Sequence, residues 1–140
     1  MSRELRPVLV DSNVLLDVAT GDPTWASWSS DTLRNAADAS LLVINPLIYA
    51  EVSIGYSSIE ALEEALPTEL FRRDNLPYEA AFLAGKVFLR YRRRGGTRPS
   101  PLPDFYIGAH AAVAGYRLLT RDAARYRTYF PSVTLIAPAP

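Results

Sequence analysis

The 140-residue sequence contains no cysteine and only one histidine. Without cysteine the chain can form no disulfide, zinc–thiolate site or iron–sulfur cluster, and it has no thiol nucleophile. The single histidine, His110, excludes a multi-histidine metal site and disfavours a Ser-His-Asp triad. Any chemistry must therefore use carboxylates, hydroxyls, amides and arginines.

Long apolar runs are also missing. No stretch approaches the ~18 consecutive apolar residues of a membrane helix, and Met1 to Asp11 lacks the apolar core of a secretory leader. We therefore expect a cytoplasmic protein with no membrane association. With 49% hydrophobic and 21% charged residues the composition is typical of a globular protein, and we expect one domain over residues 1–140.

Charge is unevenly distributed along the chain, although the formal net charge is zero. Residues 1–70 carry 3 Lys+Arg against 11 Asp+Glu, which gives −8, and residues 71–140 carry 12 against 4, which gives +8. Such asymmetry is a sign of a polyanionic partner. The alternative is that the two halves pair with each other or are simply solvated.

Short apolar runs alternate with helical patterns. Strands are predicted at residues 7–10, 41–44, 70–72, 118–120 and 133–136. Helices are predicted from Val14 to Gly21, from Asp31 to Asp38 with Ser29 or Ser30 as cap, from Pro46 to Gly55, from a capping box at Ser57–Glu60 to Pro67, from Glu79 to Arg94, from Asp104 to Ala114 and from Asp122 to Tyr126. This alternation predicts an α/β fold, a three-layer α/β/α sandwich around a mostly parallel sheet.

Four acids lie where such a fold places its functional crevice, at or beyond the carboxyl ends of strands. They are Asp11, Glu51, Asp104 and Asp122. Their neighbours in the sequence are largely apolar, and carboxylates are costly to bury together unless a cation neutralises them. Oxygen-only ligands favour Mg²⁺ or Mn²⁺ over zinc.

Each acid has a simpler interpretation. Asp11 and Asp104 could each cap a helix, and an acid at a helix N-terminus is stabilising by itself. Asp122 could be an ordinary turn residue. Glu51 is harder to explain in this way, because it is the lone acid in the mostly apolar stretch from Leu47 to Ile54.

At these residues the sequence resembles the PIN-domain family, and within it the VapC toxins of toxin–antitoxin pairs. The resemblance extends over nearly the whole chain. It depends on Val10–Asp17 (VDSNVLLD), Ala50–Val52 (AEV) with Gly55 four residues after the acid, Pro103–Ala111 (PDFYIGAHA) and Leu118–Asp122 (LLTRD), followed by Tyr126, Tyr129 and Phe130.

The resemblance implies a PIN-like fold and a Mg²⁺- or Mn²⁺-dependent endoribonuclease, a hydrolase in which a metal-activated water attacks an RNA phosphodiester in line. It also implies a cognate antitoxin protein and often a homodimer. Residue by residue, Asp11, Glu51, Asp104 and Asp122 match the catalytic, metal-binding acids. Asp11 and Asp104 would bind the metal most directly, and Asn13 and Thr120 match the polar residues that steady the first and last acids.

Five arginines cluster around the end of the long predicted helix, namely Arg90, Arg92, Arg93, Arg94 and Arg98. They are candidates for contact with RNA phosphates or with an acidic antitoxin segment. The alternative is that they complement the dipole of the helix C-terminus, but five within nine positions exceed that need.

The remaining residues give weaker signals. His110 lies six residues after Asp104, about 240° around a helix, so we expect it to be packed away from the acids. Trp25 and Trp28 are expected to pack in the core; the alternatives are stacking on RNA bases and, as the resemblance implies, contact with an antitoxin or a second subunit. Tyr126, Tyr129 and Phe130 are expected to cover the sheet edge.

Two other functions remain open from the sequence. The first is a phosphatase of the haloacid-dehalogenase type, with Asp11 as nucleophile, although that class usually has a second aspartate at the position of Asn13. The second is a non-catalytic RNA- or protein-binding module of the same fold.

Overall fold

The computed structural model describes residues 6–139. Residues 1–5 and 140 lie outside the described part. The expectations for the two ends of the domain and for residues 1–5 of the N-terminal segment therefore fall outside the described residues. Among residues 6–139 no helix has both the length and the apolar character needed to cross a bilayer.

Five strands and seven helices alternate along the described chain. They are β1 (Val8–Val10), α1 (Ser12–Thr20), α2 (Ala26–Ala39), β2 (Leu42–Ile44), α3 (Pro46–Ser53), α4 (Ile59–Ala65), β3 (Phe71–Arg73), α5 (Tyr78–Arg93), α6 (Pro103–Ala114), β4 (Arg117–Leu119), α7 (Ala124–Tyr129) and β5 (Leu135–Ile136). The strands form one sheet in the order β3-β2-β1-β4-β5, and all neighbouring pairs are parallel.

The central strand β1 is completely buried. Leu9 pairs with Val43 of β2 on one side and with Leu118 of β4 on the other. Because helices cover both faces of a parallel sheet, the inner strands β1 and β2 are apolar at every position rather than at alternate ones, whereas the edge strand β3 carries the exposed Arg72 and Arg73. The expected α/β sandwich is confirmed, and its sheet is entirely parallel.

The carboxyl ends of the strands bring polar residues to one edge of the sheet. Asp11 follows β1, Asn45 follows β2 and Thr120 follows β4. Asn45 also caps α3, since its Oδ1 accepts a hydrogen bond from the Ile48 amide at 3.0 Å, and Pro46 occupies the first turn as expected. This edge is where the candidate site lies.

Some helix boundaries differ from the sequence expectation. Helix α2 begins at Ala26, because Asp22 Oδ1 accepts hydrogen bonds from the amides of Thr24 and Trp25 and turns the chain into the helix. Ser29 is therefore not a cap. It lies inside the helix, fully buried, and its hydroxyl donates to Asp17 Oδ2 at 2.7 Å.

The predicted starts of α1, α4, α5, α6 and α7 were each wrong by one or two residues. Helix α4 is capped by Ser58, whose Oγ accepts from the Ala61 amide at 3.1 Å, so the expected capping box from Ser57 to Glu60 does not form. Helix α7 starts at Ala124 and leaves Asp122 in the preceding loop. That loop position lets the Asp122 side chain face the cleft described below.

Candidate metal centre at the strand ends

Asp11 is the most enclosed of the four candidate acids, with a relative exposure of 4%. Its Oδ1 accepts a hydrogen bond from the Ser12 amide at 2.8 Å, so the capping interpretation is correct for that oxygen. Its Oδ2 accepts from the Thr120 hydroxyl and from the Tyr126 hydroxyl, each at 2.9 Å. Asp11 is thus both a cap and an oriented, buried carboxylate.

Asn13 and Thr120 connect the first and last motifs. The Asn13 amide nitrogen donates to Thr120 Oγ1 at 3.2 Å, and Asn13 Oδ1 accepts from the Arg121 amide at 3.3 Å. Thr120 Oγ1 also accepts from the Asp122 amide at 3.2 Å, which tightens the loop after β4. These contacts bring Asn13 and Thr120 together at the strand ends, and a supporting role for both in catalysis stays a prediction.

Glu51 reaches the same edge from helix α3. Its Oε1 accepts a hydrogen bond from the Ser12 hydroxyl at 2.9 Å. Ser12 follows Asp11 directly, so one residue contacts the first two acids. Glu51 is partly buried, in keeping with its isolation among apolar neighbours in the sequence.

Asp104 lies in the first turn of α6 rather than at its cap, which is Leu102. Its Oδ2 accepts a hydrogen bond from Arg125 at 3.2 Å. Asp104 and the exposed Asp122 line one open cleft of about 420 Å³, together with residues of α5 and α7. The capping interpretation of Asp104 is therefore wrong, and its carboxylate faces the cleft.

Electrostatics show that the acids repel one another. Burial, followed by the nearby charge of Asp104, raises the pKa of Asp11 from 3.8 to about 6. Burial also raises the pKa of Glu51 and of Asp104 above their ordinary values, with repulsion from Asp104 acting on Glu51 and from Asp122 acting on Asp104. Asp104 is thus electrostatically coupled to each of the other three acids.

The oxygen donors of these acids suit a hard divalent cation, although the protein side chains alone do not complete a coordination shell. No three Asp, Glu or His side chains within residues 6–139 are grouped tightly enough to hold a metal by themselves. Mg²⁺ commonly binds one or two carboxylates and keeps several waters. Carboxylate oxygens of this kind fit that pattern, and a cation at the site would relieve the repulsion between the acids.

Arg121 lies within the final motif but does not pair with the four acids. Its Nε donates to Asp17 at 2.8 Å and 3.1 Å, and its guanidinium stacks over the ring of Trp25 at 5.7 Å. Asp17 is buried in α1, and Trp25 in turn packs edge-on against Trp28. The arginine therefore ties the site loop to α1 and α2, and the two tryptophans are partly buried there.

The arginine cluster is exposed, and part of it lies beside the cleft. Arg94 stacks over the ring of Tyr129 at 5.4 Å, and Tyr129 lines the cleft together with Asp104. Arg92 instead stacks over Phe88 and donates to the Arg98 carbonyl at 2.7 Å. The five arginines do not form one surface, and a role in binding RNA or a partner stays a prediction.

His110 is packed away from the acids, as expected. It is 1% exposed, and its Nδ1 lies 3.0 Å from the Asn45 amide nitrogen. Burial lowers the pKa of His110, and the nearby Asp74 opposes that effect only in part. The ring is therefore neutral near physiological pH and holds α6 against the cap of α3.

Tyr126 and Arg125 are residues of the site that were not predicted from the sequence. Tyr126 does more than cover the sheet edge, since its ring is buried and its hydroxyl touches Asp11. A usable signal was present, because Arg125 and Tyr126 follow Asp122 by only three and four residues and so lie near the same edge. Ser12 was also missed, although it directly follows Asp11.

A model of the PIN domain matches residues 8–131, nearly the whole chain. The chain belongs to the PIN domain family. No curated protein matches this PIN domain at the level of sequence.

Solved structures share the fold at low sequence identity. One is VapBC2 from Rickettsia felis bound to a DNA fragment from its promoter, with a TM-score of 0.72, 15% identity, and coverage of 95% of this PIN domain and 99% of that chain. Another is VapBC-1 from nontypeable Haemophilus influenzae, with a TM-score of 0.69, 17% identity and coverage of 94% and 97%. A toxin–antitoxin complex from Klebsiella pneumoniae has a TM-score of 0.63, 21% identity and coverage of 94% and 98%.

Proposed function

We propose that this PIN domain is a Mg²⁺- or Mn²⁺-dependent endoribonuclease that acts as the toxin of a toxin–antitoxin pair. The single observation that carries the proposal is the group of mutually repelling acids at the strand ends, with Asp11 buried and Asp104 facing the cleft. A buried carboxylate with a pKa raised by burial and repulsion is typical of a functional site.

The chain's own residues supply orientation and charge. Thr120 and Tyr126 hold Asp11 Oδ2 in place, Ser12 holds Glu51, and the cleft beside Asp104 is open to a polynucleotide. A bound Mg²⁺ or Mn²⁺ would promote ionisation of a water and stabilise negative charge on the phosphoryl group. Asp11 and Asp104 would hold it, and Glu51 and Asp122 would hold waters of its shell.

RNA and an antitoxin are the partners that fit this assignment. Arg94 at the rim of the cleft is placed to contact a phosphate, and several solved relatives are toxin–antitoxin complexes. We propose that the chain acts in the cytoplasm as a single domain and forms a homodimer. Size-exclusion chromatography with light scattering tests the dimer, which a monomeric mass at micromolar concentration would reject.

The phosphatase alternative has less support. Asn13 occupies the position at which that class usually carries its second aspartate, and it bonds to Thr120 and Arg121 instead. Trapping of a phospho-aspartate at Asp11 would favour that function over hydrolysis of RNA.

Total RNA incubated with the purified protein, with and without EDTA and followed by end mapping, tests the proposal. We expect defined new ends that need Mg²⁺ or Mn²⁺ and that vanish with Asp11→Asn and Asp104→Asn. Asp38→Asn, an exposed acid on α2, is the matched control and should cleave like the wild type. Cleavage that persists in both site variants, or in EDTA, would reject the metal site. A folded wild type that binds Mn²⁺ without cutting RNA would favour a non-catalytic module.

A further inference from the structure

Arg125 is a positively charged residue that forms an ion pair with one of the candidate acids, Asp104. Its Nη1 lies 3.2 Å from Asp104 Oδ2, and both residues line the open cleft. Arg121, four residues earlier, is already engaged by Asp17. Among the ion pairs of residues 6–139, the Arg125–Asp104 pair is the one that involves a candidate metal ligand.

The Arg125–Asp104 ion pair is exposed enough for Asp104 to exchange Arg125 for another cation. The Arg125 side chain is 42% exposed and that of Asp104 34% exposed, so water competes with the contact. An exposed ion pair shifts an equilibrium by no more than about fivefold. A divalent cation between Asp11 and Asp104 would relieve the repulsion between these two acids. This repulsion is stronger than the attraction in the exposed Arg125–Asp104 pair, because Asp11 is buried and its pKa is raised in part by Asp104.

Arg125 does not need to leave the cleft when it leaves Asp104. Its guanidinium lies over the ring of Phe105 at 6.0 Å, and Thr128 and Tyr129 extend the same cleft along α7. A planar guanidinium held beside an aromatic ring keeps its N–H groups free to donate in the guanidinium's own plane. Such a fork matches two oxygens of a phosphate.

We propose that Arg125 is a substrate-positioning residue that pairs first with Asp104 and then with a phosphate of the substrate. In the metal-free protein it neutralises Asp104. When a divalent cation binds there, Arg125 is released and donates to a phosphodiester oxygen of the RNA lying in the cleft. The inference rests on the nuclease function proposed above and adds a residue outside the four acids.

The two roles predict opposite effects of one substitution. Arg125→Gln removes a competitor for Asp104, so Mn²⁺ measured alone by calorimetry should bind about two- to fivefold more tightly. The same variant loses a charge-assisted contact to phosphate, so the KM for a mixed-sequence pool of short single-stranded RNA should rise about tenfold or more at saturating Mn²⁺. The change in kcat should be smaller, within about threefold, because the acids are intact.

Arg127→Gln is the matched control. It removes an exposed arginine from the same helix two residues later, and both Mn²⁺ affinity and KM should stay within about twofold of wild type. Weaker Mn²⁺ binding by Arg125→Gln, or an unchanged KM, would overturn the Arg125 inference while leaving the nuclease in place. A wild type that neither binds Mn²⁺ nor cleaves the RNA pool would overturn the proposed function, and the Arg125 inference with it.

Discussion

The hydroxyl of Tyr126 lies 2.9 Å from Asp11 Oδ2 and donates a hydrogen bond to it. The tyrosine comes from α7 and the aspartate from the end of β1, 115 residues earlier in the chain. The ring of Tyr126 is buried, so this donor is held in place beside Asp11. This contact links the last helix of the fold to the candidate metal centre.

Replacing Tyr126 with phenylalanine removes that donor and keeps the packed ring. A buried hydrogen bond to a charged group contributes about 1.5–3 kcal/mol, so we expect a loss of stability of that order for Tyr126→Phe in urea unfolding. Mn²⁺ binding should also shift to higher pH, because the bond favours the ionised form of Asp11. Tyr129→Phe, which keeps a cleft-lining ring, is the control. Equal stability of the two variants would contradict the role of the hydroxyl.

The raised pKa of Asp11 gives a pH dependence with a definite sign. Because the pKa is 3.8 in the unfolded chain and about 6 in the fold, the folded state holds the proton more tightly. The resulting stabilisation is complete below the unfolded value and is lost as the pH rises through about 6. Metal-free protein should therefore be more stable at pH 5 than at pH 7.5, by about 1–1.5 kcal/mol from this group.

Denaturant unfolding in EDTA at the two pH values measures this difference. Burial also raises the pKa values of Glu51 and Asp104, so these acids act in the same direction. Asp11→Asn cannot titrate and should lose most of the difference. If the variant keeps the full difference, Asp11 is not the group responsible.

Asp17 is expected to contribute to the stability of the fold and not to the affinity for the metal ion. It is 3% exposed and accepts hydrogen bonds from Arg121 and Ser29. Asp17→Ala leaves the buried Ser29 hydroxyl and the partly exposed Arg121 guanidinium without their acceptor, so it should cost about 1–3 kcal/mol. A double-mutant cycle with Arg121→Ala measures the coupling, and Mn²⁺ affinity should stay within about twofold. A large loss of Mn²⁺ affinity in a folded Asp17→Ala would place Asp17 in the site instead.

Gly108 is required by the close approach of α6 to Phe130. A Cβ atom at this position would lie 2.4 Å from the Phe130 ring, whereas one at Gly85 of α5 would meet nothing within 4 Å. Gly108→Ala should therefore destabilise the fold by about 1–3 kcal/mol through overpacking. Gly85→Ala should stabilise it by about 0.5–1 kcal/mol, because alanine has the higher helix propensity. Thermal unfolding of the two variants compares them directly, and equal shifts would contradict the packing argument.

The parts of the fold that local sequence determines were predictable. Apolar runs such as that ending at Val10, the Asn45-Pro46 helix start and the glycine stops at Gly21 and Gly115 depend on a few adjacent residues. Their order predicted the parallel sheet and brought Asp11 and Thr120 to one edge.

The remaining features depend on contacts between distant residues. Ser29 satisfies a general rule for helix caps, but the turn made by Asp22 starts α2 earlier and leaves Ser29 to bind Asp17. Likewise, neither the partner of Arg125 nor that of Tyr126 follows from local patterns, since Asp104 is 21 residues away and Asp11 is 115 residues away. The acids, Asn13 and Thr120 could be listed from the sequence, but the contacts of Tyr126 with Asp11 and of Arg125 with Asp104 could not.

Calorimetric titration of Mn²⁺ into the purified, EDTA-stripped protein near neutral pH tests the central claim most directly. If Asp11 and Asp104 share a divalent cation, the wild type binds Mn²⁺ and Asp104→Asn weakens that binding by at least about tenfold, while Asp38→Asn does not. Absence of Mn²⁺ binding by the folded wild type, or equal binding by the wild type and Asp104→Asn, would contradict the account.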